Sequence, residues 1–313
     1  MRVAVVDIGT NSTRLLIADV EPGGAVSELQ RRTQVTRLGE GVDTSGVLAD
    51  AAIGRVLAVL DEYASVIAQF GAQARPAVLT SAVRDAANGP QFVATVEQRY
   101  GLEARAIGGG EEARLTYLGA TSDHDATDAT PTLVIDVGGG STELIVGAGA
   151  RVGFSVSMQV GVVRQSERHL RSDPPRTPEL AALGAEVAAT IERSVPEHVQ
   201  RTASRAIAVA GTATSCAAID QALDPYDPAR VHGYRLELTT LRLLLARLAS
   251  LSLAERRRVR GLDPDRAPTI VAGVIILIRA LEAFGLDAFE ASEHDILRGV
   301  ALQAAGAAAV QVP

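Results

Sequence analysis

Leu133–Val146, LVIDVGGGSTELIV, decides how the rest of the chain is read. An apolar run closes on Asp136 and three glycines, which reads as a buried strand entering a tight turn. Leu144-Ile145-Val146 follows at once and predicts the second strand of a hairpin. Glycine lets the backbone come close to a ligand and turn its amides inward. The amides of Gly138, Gly139, Gly140 and Ser141, with the hydroxyls of Ser141 and Thr142, make a receptor for phosphate oxygens. Asp136 and Glu143 bracket the turn, and such hard oxygen donors suit Mg²⁺, directly or through water. A glycine-rich hairpin with two surface acids is the plain alternative for this stretch alone.

The pattern has a twin at Val5–Ile17, VVDIGTNSTRLLI. Asp7 stands where Asp136 does, Ser12 and Thr13 match Ser141 and Thr142, and Arg14 takes the place of Glu143. A repeat on this scale means duplicated domains rather than short solenoid units. Two hairpins that each offer amides and an aspartate imply two lobes with phosphate in a cleft between them. The boundaries fall at residues 1–120 and 121–295, with the polar stretch Thr121–Thr132 as linker. A helix over 296–313 is expected to pack back on the first lobe.

The 313 residues suffice for two domains with proper cores. All 30 basic residues are arginine, a bias that base composition explains. It still means that any phosphate clamp here uses guanidinium groups, and that a P-loop lysine or a lysine Schiff base is excluded. A net charge of −7 argues against broad nucleic-acid binding and leaves a polyanionic substrate to local arginines. The single cysteine, Cys216, excludes an intramolecular disulfide and suits a reducing cytoplasm. The N-terminus reads as a core strand, not a signal peptide. The most apolar run, Ala267–Ile278, is shorter than the roughly 20 residues a membrane span needs.

Further candidates lie along the chain. Arg84, just past the strand Pro76–Thr80, sits where open α/β sheets bind ligands, or is an exposed loop arginine. Glu111 and Glu112 follow Gly108-Gly109-Gly110 and open a helix. They read either as acids complementing the helix dipole or as one general base and its neighbour. Ala206–Ala210 is a strand leading to Gly211-Thr212 at a helix start, a further anion site. Cys216 behind it reads as a buried structural thiol. Helices are expected at Ala49–Phe70, Gly161–Leu170, Pro178–Val195, Thr239–Leu251 and Ser252–Val259. Asp224–Tyr234 reads as a Pro-rich loop, and Arg266 lies at the start of the long apolar helix to Phe284.

Taken in order, DIGTNSTRLLIAD, TSAVRDAANG, GGGEEARLTYLG, DVGGGSTELIVG, GTATS, DPARVHG, GLDPDRAPTIVAG and ASEHDILRG resemble the exopolyphosphatase / guanosine pentaphosphate phosphohydrolase (Ppx/GppA) family. The resemblance covers essentially the whole chain. It implies an α/β fold of two ribonuclease-H-like domains, as in the actin, Hsp70 and sugar-kinase superfamily. It implies Glu112, before Ala113-Arg114, as the general base. Asp136 and Glu143 become metal ligands, and Asn11, Arg14, Arg84, the Gly138–Ser141 turn and Arg266 become phosphate contacts. From the repeat, Asp7 is a further candidate metal ligand and Ser12 a further candidate phosphate contact, beside the anion site at Gly211 and Thr212.

The implied activity is release of terminal phosphate from inorganic polyphosphate by Mg²⁺-assisted attack of water. Hydrolysis of pppGpp at its 5′-phosphate, or a silent (p)ppGpp sensor, are the alternatives. Longer members carry an added helical region, which this chain is expected to lack, so short polyphosphate is the expected substrate. His294-Asp295 is not read as a metal dyad. Homodimerisation is implied by the resemblance alone, and no nucleic-acid or membrane partner is expected.

Overall fold

The computed structural model describes residues 1–306. Its first elements are β1 (Arg2–Ile8), β2 (Ser12–Val20), β3 (Val26–Val35), α1 (Val42–Ser45), α2 (Asp50–Phe70), β4 (Pro76–Leu79), α3 (Ser81–Asp85), α4 (Gly89–Tyr100), β5 (Glu103–Ala106) and α5 (Gly109–Ala120). Then come β6 (Thr132–Val137), β7 (Thr142–Ala148), β8 (Arg151–Met158), α6 (Val162–His169), α7 (Thr177–Ser194), α8 (Glu197–Gln200), β9 (Arg205–Val209) and α9 (Ala210–Asp220). The chain closes with α10 (Pro228–Val231), β10 (Arg235–Glu237), α11 (Leu238–Ser250), α12 (Leu253–Arg256), α13 (Ile270–Phe284), β11 (Ala288–Ala291) and α14 (Ile296–Ala304).

These elements form two compact units. Unit 1 is Met1–His124 with the segment from Asp295, and unit 2 runs from Asp125 to His294. The sheet of unit 1 has the order β3-β2-β1-β4-β5. The sheet of unit 2, read from β8, is β8-β7-β6-β9-β11 with β10 added at its edge. In both, the first three strands form an antiparallel meander and the first strand also pairs in parallel with the fourth. This shared plan is a ribonuclease-H-like fold. The twin motifs therefore sit at the same turn of two copies of one fold.

Helices on both faces explain why β1 and β6 are nearly continuous apolar runs rather than alternating ones. Successive side chains of β1 serve two different cores. Ala4, Val6 and Ile8 pack in the cluster around α2, while Val3 and Val5 pack with Leu115 of α5 and Leu297 and Val300 of α14. α14 lies directly on α5. A Cβ on Gly119 would overlap the Asp295 carbonyl, and one on Gly299 would overlap the Leu115 carbonyl. The beginning of the helix expected over 296–313 is thereby fixed to unit 1; residues 307–313 lie outside the described residues.

Several sequence expectations need correction. α4 and the short β10 were not anticipated. Asn88-Gly89-Pro90 supplies the start of α4, with Pro90 in the first turn where its missing N–H costs nothing. The helix expected over Ser252–Val259 is one capped turn, Leu253–Arg256. The Pro-rich loop Asp224–Tyr234 contains a helical turn, α10, capped by Asp227.

Candidate active site

In unit 2 the turn between β6 and β7 is closed by the Gly138 amide, which donates to the Ser141 carbonyl at 3.0 Å. Its three glycine carbonyls face α6. Gly138 O accepts from Val162 N at 2.9 Å, Gly139 O from Val163 N at 2.9 Å, and Gly140 O from Arg164 Nε at 3.0 Å. These peptides are trans, and a trans peptide sets its N–H antiparallel to its C=O. The amides of Gly139, Gly140 and Ser141 are therefore directed away from α6. Three successive amides on one side form a concave donor set suited to phosphate oxygens. α6 can come so close because residue 161 is glycine; a Cβ there would overlap the Gly139 carbonyl.

Asp136 and Glu143 are direct partners across β6 and β7, beside this turn. Both are buried, at 7% and 1% exposure. Glu143 Oε1 accepts two hydroxyls, from Ser141 Oγ at 2.8 Å and Ser157 Oγ at 2.6 Å. A hydroxyl has one proton to donate, so the Ser141 side chain serves Glu143. The Thr142 hydroxyl likewise donates to the Val160 carbonyl. Both hydroxyls were expected as phosphate donors; in the structure they brace the hairpin, which leaves anion binding at this turn to the amides. Two carboxylates at paired positions repel each other, and a hard divalent cation offsets that charge. The donor set thus fits Mg²⁺.

Unit 1 repeats the turn with one substitution of charge. Gly9 N donates to Ser12 O at 2.9 Å, while the carbonyls of Thr10 and Asn11 accept from Gly39, Thr36 and Arg37 at 2.8–3.0 Å. The amides of Asn11 and Ser12 accordingly point away from the 36–39 segment. The cross-strand partner of Asp7 is Arg14. Arg14 donates from Nε at 2.8 Å to Asp7 Oδ2 and lies 2.6 Å from it through Nη2, while Nη1 binds Asp295 Oδ2. Asp295 also caps α14, accepting from Leu297 N at 3.0 Å. Arg14 and Asp7, expected on phosphate and metal, are thus engaged with each other. Asp7 Oδ1 is buried without a hydrogen-bond partner among the described residues.

This cluster splits its two carboxyls. Burial pushes Asp7 above the usual carboxylate range, against the pull of Arg14. Burial acts on Asp295 in the same sense, but Arg14, Arg31 and the Leu297 amide outweigh it and hold that group below the range.

Arg84 lies in α3, just after β4, and is not a loop residue. Its Nη1 donates to the Ile107 carbonyl at 3.0 Å and to Glu112 Oε2 at 3.2 Å. Glu112, in the first turn of α5, is 7% exposed. Its neighbour Glu111 turns instead to Arg105, at 2.6 Å, with a third of its side chain exposed. The two acids therefore occupy different environments, one buried beside an arginine and one at the surface.

The third anion candidate is the start of α9. Ala210 enters it with φ of +63°, a sparsely populated conformation for a residue with a Cβ. The Arg266 guanidinium occupies the space that a Cβ on Gly211 would fill. Thr212 is buried against Gly273 of α13. A guanidinium over a helix N-terminus concentrates positive potential there. Cys216 is fully buried one turn on, and burial pushes its thiol up to about 12.

Ser157, Arg164 and Asp295 are the participants that the sequence did not single out. Their partners lie on other strands or helices, and no spacing rule marks them.

Two buried acids beside an amide nest, on a duplicated ribonuclease-H-like fold, make an arrangement suited to phosphate. The profile of the Ppx/GppA phosphatase family matches residues 16–307. The chain belongs to that family, as its motifs implied. It is 38% identical to "Exopolyphosphatase 2" of Mycobacterium tuberculosis, over 97% of this chain and 99% of the other. "Exopolyphosphatase 1" of Mycobacterium bovis is 30% identical over 97% of this chain and 88% of its own length. The crystal structure of the Aquifex aeolicus family member superposes with a TM-score of 0.82 at 31% identity, covering 97% of each chain. No helix among the described residues is long and apolar enough to cross a membrane.

Proposed function

We infer that this phosphatase is an exopolyphosphatase that removes terminal orthophosphate from inorganic polyphosphate. The observation that carries the reading is the Gly138–Ser141 turn, whose Gly138, Gly139 and Gly140 carbonyls are tied to α6 so that the amides of residues 139–141 form an anion cradle beside Asp136 and Glu143. The names of the mycobacterial relatives support polyphosphate as the substrate.

The reading gives each part of the chain a task. The amides of residues 139–141 hold the terminal phosphoryl oxygens without needing a change of protonation. Arg266, at the start of α9, adds a guanidinium suited to phosphate geometry. Glu112 orients and deprotonates the attacking water, with Arg84 fixing one oxygen of its carboxylate. Asp136 and Glu143 would hold Mg²⁺, which when bound supplies positive charge against the phosphoryl oxygens. No covalent phosphoenzyme is required. A net charge of −7 opposes accumulation of a long polyanion, which favours short chains as substrates.

The test is phosphate release by the purified protein with Mg²⁺ from short polyphosphate, long polyphosphate and pppGpp. Faster release from short polyphosphate is expected. Release from pppGpp alone would transfer the enzyme to alarmone hydrolysis, and binding of (p)ppGpp with no release from any substrate would make it a sensor.

A further inference from the structure

We propose that Ser157 is a positioning residue for a divalent-cation site at Asp136 and Glu143; the inference rests on the reading of those two acids as cation ligands. Ser157 stands directly opposite Glu143 in the β7–β8 ladder. It donates to Glu143 Oε1 at 2.6 Å, and Ser141 donates to the same oxygen at 2.8 Å. Two hydroxyls reaching one oxygen, one from the hairpin turn and one from the next strand, restrict the rotation of the carboxylate about its last bond. Hydrogen bonds on one oxygen of a ligating carboxylate fix its orientation and direct the cation to the other. Glu143 is 1% exposed, so water is a poor substitute for either donor.

Ser141 is held in place by the turn itself, whereas Ser157 is positioned only by the register of β8. That register follows an irregularity at Val146/Gly147, which sets which β8 side chain falls opposite Glu143. Among the residues flanking Ser157, Met158 is buried in the core, so the hydroxyl at 157 is the polar group this stretch delivers to the acid pair.

A merely structural serine would satisfy a buried oxygen and affect stability alone. A positioning serine also changes metal affinity in the absence of substrate. The experiment measures Mn²⁺ binding to the full chain by calorimetry, with no substrate present, for the wild type, Asp136→Asn, Ser157→Ala, Ser157→Cys and Ser157→Thr. Loss of a residue that orients a metal ligand typically weakens binding about 10- to 100-fold. That loss is expected for Ser157→Ala and for Ser157→Cys, which nearly keeps the volume, with recovery in Ser157→Thr, which keeps the hydroxyl. Wild-type affinity in Ser157→Ala and Ser157→Cys, alongside its loss in Asp136→Asn, would overturn the role of Ser157 and leave the acid pair standing. Equal binding, or none, by the wild type and Asp136→Asn would overturn the cation reading and this inference together.

Discussion

Arg14 and Glu143 hold the same place in two copies of one hairpin: each is the direct cross-strand partner of the aspartate next to the end of the preceding strand, Asp7 in one and Asp136 in the other. Unit 1 therefore carries its counter-charge as a built-in guanidinium, while unit 2 sets two carboxylates side by side. Removing Arg14 would leave Asp7 and Asp295, both under 5% exposed, without that charge. Breaking a buried ion pair from one side typically costs about 3–5 kcal/mol. Arg14→Ala is expected to lose stability on that scale in urea titrations; a loss below about 1 kcal/mol would show the cluster to be incidental.

Asp295 gives the same cluster a pH signature. Its folded pKa is depressed, so the stability it contributes is fully present above the ordinary carboxylate value of about 4 and is lost as pH falls below it. Asp295→Asn is expected to be less stable at pH 7 and to show a shallower decline in its urea midpoint below pH 4. Parallel profiles for the two proteins would contradict the assignment.

The reach of the sequence can be judged from these residues. The Asp7 and Asp136 hairpins were legible because duplication wrote one pattern twice, and glycine marks a turn whatever surrounds it. Arg14 was visible as a residue, but its partner Asp295 lies 281 positions away, where no local pattern points. Ser157 needed the register of β7 on β8, which an irregularity shifts. α4 was hidden because it buries only Gly89, Phe92 and Val96, too sparse a stripe to stand out. β10 is three residues long with a single inward side chain, Leu236, and a strand so short has no period to read. The hydroxyls of Ser141 and Thr142 were expected on phosphate but donate to Glu143 and Val160, because sequence gives no direction to a hydroxyl.

Gly161 tests the amide cradle. A Cβ there would overlap the Gly139 carbonyl, so Gly161→Ala must push α6 and the turn apart. Overpacking of this kind costs about 1–3 kcal/mol. The variant should melt lower and show a raised KM for polyphosphate. An unchanged melting point and KM would mean that α6 does not set the turn.

Cys216 is fully buried with its thiol pushed up to about 12, so it is neutral and shielded at physiological pH. A disulfide exchange reagent at pH 8 is expected to leave the native protein unlabelled and to modify it stoichiometrically in urea. Rapid labelling of the native protein, with loss of activity, would place a reactive thiol in α9.

Glu112 is the proposed general base of phosphate release. Glu112→Gln keeps the shape of the side chain and removes its basicity, and loss of a general base typically costs about 10²–10⁴-fold in rate. The decisive measurement is kcat for phosphate release from short polyphosphate by Glu112→Gln beside the wild type, with substrate binding measured on both. A fall in kcat of that size with binding retained is the predicted result; a variant that turns over as fast as the wild type would contradict it.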